Sequence, residues 1–128
     1  MFEKCYQDIG LKLSKYQSFV IRAVLGGMTD DTSWYCKCLQ SLAKGDSDGA
    51  EYGGIYLSCD EDFKQYAKEE GFPDFEGVCF EYDDDFVTMT LEQAEAILQK
   101  SMDEIDFSIS FPLEYAKFRK EGILISKV

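Results

Sequence analysis

Apolar residues near the start of the chain fall three and four apart. Phe2, Cys5, Tyr6, Ile9, Leu13, Tyr16, Val20 and Val24 keep the spacing of a single stripe on a helix. Gly10 costs a helix interior about 1 kcal/mol and is a place where that helix can break, and Gly26-Gly27 should end it. Thr29, Asp30 or Asp31 can cap a second helix, with Trp34, Tyr35, Cys38, Leu39 and Leu42 turned inward and a stop at Gly45.

From Gly45 to Gly54 the chain is rich in Gly, Ser and Asp, a composition that predicts a loop. Ile55 to Cys59 carries the β-branched and aromatic content of a short strand. Asp60, Glu61 and Asp62 place acids where a helix dipole favours them, with Phe63, Tyr66 and Ala67 on one face, Gly71 as the stop and Pro73 barring resumption. Val78, Phe80 and Tyr82 alternate with Cys79 and Glu81, and Phe86 to Thr90 answers them across Asp83-Asp84-Asp85. This is a hairpin pattern.

Thr90 and Gln93 form a capping-box pair ahead of a helix that should bury Leu91, Ala94, Leu98, Met102 and Ile105. Phe111-Pro112 resets the chain, Pro112 suits a first helical turn, and Leu113, Tyr115, Ala116 and Phe118 precede Gly122. Ile123 to Ile125 is expected as an edge strand. There is no internal repeat. These elements predict an α+β fold, a small antiparallel sheet around a central hairpin covered by several helices. A chain of 128 residues is long enough for one ordinary core and short for two, so a single domain over 1–128 is expected.

Charge changes the picture. The net charge is −12, yet residues 1–45 hold six basic and four acidic side chains, whereas residues 46–128 hold seven and twenty-one. Between 60 and 106, sixteen acids meet only Lys64, Lys68 and Lys100. With 45% hydrophobic residues and ten Phe and eight Tyr, the chain should still fold. Such a field repels phosphate backbones and anionic lipid, which predicts no nucleic-acid and no membrane partner. No run approaches the roughly 18 apolar residues of a membrane span, and the start lacks the apolar core of a secretory signal. Five cysteines, an odd set, fit free thiols of a reducing compartment. A cytoplasmic protein is expected.

Chemistry is scarce. The chain has no histidine, which removes the commonest general base and metal ligand. Cys36 and Cys38 do not supply the four ligands of a zinc site. Glu81, Asp83, Asp85 and Glu92 match an EF-hand count at its first, third, fifth and last positions, but Phe86 stands where that loop needs Gly. No catalytic residue, metal or cofactor is expected. An acidic excess of thirteen between 60 and 106 exceeds the magnitude of about 2 to 8 that keeps a small domain in solution, and its self-repulsion works against folding. A cationic protein partner accounts for it. The candidate contacts are Asp60, Glu61, Asp62, Glu69, Glu70, Glu81, Tyr82, Asp83, Asp84 and Asp85, with Tyr52, Tyr56 and Phe75 as further aromatic candidates.

The stretch from Asp74 through Phe75, Gly77, Val78 and Phe80 to Tyr82, then acids, Val87 to Thr90 and a capped helix, resembles the ribonuclease-toxin immunity proteins of bacterial contact-dependent growth inhibition systems. The likeness spans about residues 18–120 and is closest over 74–105. It departs from the pattern at Ala94, Ile97 and Leu98, where aromatic residues are common in that family. The resemblance implies a cytoplasmic antidote that binds a basic, RNA-cleaving toxin domain one to one and blocks its active site. Two other readings fit the residues: an acidic intracellular adaptor with no toxin partner, and a carboxylate hydrolase, which needs an acid pair of raised pKa in a pocket.

Overall fold

Ser14 starts the first helix, α1 (Lys15–Thr29), by accepting from the Gln17 N–H while the Gln17 side chain accepts from Ser14 N–H, a reciprocal capping box. In this computed structural model, which describes residues 12–50 and 53–124, α1 does not stop at Gly26-Gly27. Val24, Leu25 and Met28 are buried on both sides of the glycine pair, and that burial outweighs a propensity cost of about 1 kcal/mol per glycine. Apolar positions predicted before Lys12, Tyr52 and the last residue of the 123–125 strand lie outside the described residues. Asp31 caps α2 (Thr32–Ala43), accepting from Ser33 and Trp34 N–H, and α2 buries Tyr35, Cys36, Cys38, Leu39 and Leu42.

The expected loop after Gly45 contains a strand. β1 (Asp48–Ala50) pairs antiparallel with β2 (Gly53–Leu57), so a Gly-rich segment with little strand propensity is drawn into the sheet as its edge. After α3 (Glu61–Glu70), β3 (Val78–Tyr82) and β4 (Asp85–Met89) complete a four-stranded antiparallel sheet in the order β1-β2-β3-β4. Ile55, Phe80 and Val87 stand in register, as do Leu57, Val78 and Met89. One strand step away, Tyr56, Cys79 and Thr88 share the opposite face.

The first of these faces carries the main core. Its strand residues pack with α1, α2, α4 (Leu91–Glu104), α5 (Phe107–Ser110) and α6 (Pro112–Glu121). The Thr90–Gln93 capping box is formed. Ala94, Ile97, Leu98 and Met102 are buried, whereas Leu91 and Ile105 are only partly covered. Tyr35 joins α2 to α4 by hydrogen bonding Ser101 and sets its ring edge-on to Phe107. The expected strand at the end is absent among the described residues: Ile123 and Leu124 lie in a bend, held by a carboxylate considered below. The architecture is the expected α+β fold with a small antiparallel sheet.

Candidate functional site

Among the described residues α3 and the loop that follows it cover the second sheet face, and Asp60 sets the start of α3. One carboxylate oxygen accepts from Asp62 and Phe63 N–H, capping α3, and the other accepts from Ser47 N–H at 2.8 Å. Partial burial pulls this carboxyl up, but Ser47 and the N–H groups of Phe63 and Asp62 outweigh it and hold the pKa below the usual carboxylate value. Gly71, at φ 74°, ends the helix. Gly77, at φ 109°, enters β3 where an added Cβ would collide with the Met89 carbonyl oxygen, which is why glycine stands in the Phe75–Phe80 stretch.

Beneath α3 lies a second core of Tyr56, Phe63 and Cys79, flanked by Phe72, Phe75 and Phe86. Tyr56 and Phe63 stack at 4.6 Å, and Phe72 meets both rings edge-on. Tyr56 is therefore a core residue and no surface anchor. Its hydroxyl reaches over Gly49 and Gly54, where added Cβ atoms would sit 2.6 and 2.9 Å away, to donate to Glu81 at 3.4 Å. Burial and then the Glu81 charge raise the Tyr56 pKa and push the Cys79 thiol up to about 12. Glu81 also accepts from Asp84 N–H at 2.9 Å.

The ten predicted contact residues thus separate. Asp60 and Glu81 are engaged inside the fold, as cap and as turn brace. Asp85 sits in β4 rather than in the turn and accepts from Tyr16 Oη at 3.0 Å. Tyr82 is half-buried against the α1 side, edge-on to Phe19 at 6.1 Å. Glu61 pairs with Lys64 at 2.9 Å. The remaining five, Asp62, Glu69, Glu70, Asp83 and Asp84, are exposed and form no ion pair among the described residues.

Two of these, Glu70 on α3 and Asp84 in the turn, meet beside Tyr66. Asp62 and Glu69 stand two turns apart on α3, and Gln65 between them donates to Glu69 at 3.0 Å. Tyr66, 45% exposed, has its pKa raised by burial and then by Glu70, Glu81 and Asp84, which sets the end of α3 beside the β3–β4 turn. Tyr66 was expected on the buried face with Phe63, and it instead presents half its surface amid the carboxylates. Nothing in residue spacing distinguishes it from Phe63; only the direction from which α3 meets the sheet does.

Two further groups complete the chemistry. Cys36 and Cys38 are buried on α2; burial, then nearby Glu114 for Cys36 and Asp48 for Cys38, raises both thiols, the state of inert small hydrophobes. Glu95 was not anticipated. It is 6% exposed and accepts from Ile123 N–H, Leu124 N–H and Gln99 Nε2. Its position beside Ala94 and one turn before Leu98 and Gln99, on the buried stripe, was the available signal. Among the described residues no helix is long and apolar enough to cross a membrane, and no three acid or thiol groups converge as a metal would require. No family model, no curated protein and no solved structure matches the chain.

Proposed function

We propose that this chain is a non-catalytic immunity protein of the bacterial cytoplasm. It binds, as a monomer, one basic ribonuclease toxin domain of a contact-dependent growth inhibition effector and covers the RNA-cleaving cleft. The observation that carries this reading is the acidity of α3 and the β3–β4 turn: five exposed carboxylates that form no ion pair among the described residues, two of which, Glu70 and Asp84, lie beside a half-exposed tyrosine. A cleft built to hold a phosphate backbone is cationic, and a surface with fixed carboxylates around an aromatic anchor meets it with complementary charge. Such a field speeds encounter as well as holding the complex.

The test is co-expression with the C-terminal domain of the effector encoded immediately upstream. A one-to-one complex, loss of RNA cleavage and affinity that falls steeply with salt are expected. Joint reversal of Glu69, Glu70 and Asp84 to Lys should weaken binding by at least about tenfold, chiefly through slower association. A neighbouring domain that is neither bound nor inhibited ends the reading.

A further inference from the structure

We infer that the groove between α3 and residues 72–76 binds a small zwitterionic aromatic molecule of the amino-acid class. The groove has a volume of about 560 Å³, within the range of roughly 300 to 1,000 Å³ of small-molecule sites. Phe63, Phe72 and Phe75 supply its apolar lining. Their rings already pair at 5.2 Å (Phe63 with Phe72) and 6.0 Å (Phe63 with Phe75), so a further ring entering here meets aromatic edges and faces at the spacing such pairs prefer.

Charge then selects the ligand. Lys64 and Lys68, one turn apart on α3, line one wall, and Asp74 and Glu76 line the other. In a chain carrying twenty-five acids and thirteen bases, this groove brings both signs together, with Lys68 opposite Asp74 and Glu76 and Lys64 already held by Glu61. No short ion pair closes across it: Lys64 is tied to Glu61 on its own helix at 2.9 Å and feels the Glu76 charge from the facing wall, while Lys68 and Asp74 form no ion pair among the described residues. A simple anion would meet Asp74 and Glu76 as well as Lys68, and a simple cation would meet Lys68 as well as the acids. An aromatic body bearing both a carboxylate and an ammonium satisfies both walls with charge-assisted contacts. The lysines of the groove lie on the flank of α3 away from Asp62 and Glu69, while its Phe72 abuts Tyr66 of the proposed partner surface at 5.7 Å; the two sites share an edge, and this one rests on its own lining and not on that reading.

The test is an amide-resolved NMR titration of the full chain with four indoles: L-tryptophan, tryptamine, indole-3-propionate and uncharged indole. Saturable shifts at Ala67, Phe72, Phe75 and Glu76 are expected, tightest for L-tryptophan. Each singly charged probe should bind about two- to fivefold more weakly, the range for exposed charge pairs. Lys68→Gln should abolish the advantage of L-tryptophan over tryptamine, and Asp74→Asn with Glu76→Gln its advantage over indole-3-propionate. All three side chains are exposed, and unchanged amide shifts elsewhere report a retained fold. Equal affinity for all four probes, tightest binding of a singly charged one, or no shift into the low-millimolar range overturns the proposal.

Discussion

At the residue scale, two carboxylates do work that their neighbours in sequence do not. Glu95 holds the chain after α6 against α4: its oxygens take the Ile123 and Leu124 N–H groups at 2.9 and 2.6 Å, and Gln99, which also donates to the Phe118 carbonyl, takes a third place. Removing the acceptor leaves buried donors without partners, at about 1 to 3 kcal/mol each. Glu95→Ala should therefore lose about 3 kcal/mol in urea denaturation, and the Ile123 and Leu124 amides should lose their hydrogen-exchange protection; wild-type protection in the variant would refute the role. Asp60 acts through its charge. Its folded pKa lies below the unfolded value of about 3.9, so its ionic stabilisation is complete above that value and is lost as pH falls through the folded pKa. Asp60→Asn keeps the cap but not the titration. The stability advantage of wild type over this variant should be constant near neutrality and shrink below about pH 4, as read from urea midpoints across pH.

At the element scale, the β3–β4 connection is the place where local turn preference and the proposed partner binding pull apart. Asp83 and Asp84 both lie at positive φ, 49° and 67°, the backbone of a two-residue type I′ turn, for which Asn-Gly is the favoured pair. Aspartate tolerates this region at some cost and also adds like charge beside Glu81 and Asp85. Asp83→Asn with Asp84→Gly should raise stability by about 1 kcal/mol, seen as a higher thermal midpoint, while removing two carboxylates from the anionic face. A lower midpoint would mean that these side chains hold the turn in some further way. The capped helices were legible because caps are local: Thr90 with Gln93 and Asp60 before α3 each follow from residues a few positions apart. β1 was not legible, because Asp48 to Ala50 has no strand character of its own and pairs only because β2 offers an open edge.

At the scale of the whole molecule, the sheet has two unequal sides. One is buried under five helices, and the other under α3 and the loop that follows it. The acidic excess of residues 60–106 belongs largely to the thin side, where carboxylates that would repel one another in a thick core stay hydrated. Within α3 the charge is sorted again, with Lys64 and Lys68 toward the groove and Glu70 toward the turn. The sequence predicted ten contact residues by density of charge, and density alone cannot separate Glu81, engaged with Tyr56 and Asp84, from Asp84 itself.

What the amino-acid order settled by itself was local: the starts of α2, α3, α4 and α6, the hairpin alternation, the absence of histidine, and the asymmetry of charge. Each depends on contacts within a turn or a strand pair, or on composition. What only the tertiary structure decided was which side chains face water. The continuation of α1 through two glycines, the burial of Tyr56 and Glu95, the exposure of Tyr66 and the groove beside α3 arise from surfaces distant in sequence coming together, where apolar burial outweighs the smaller local preferences.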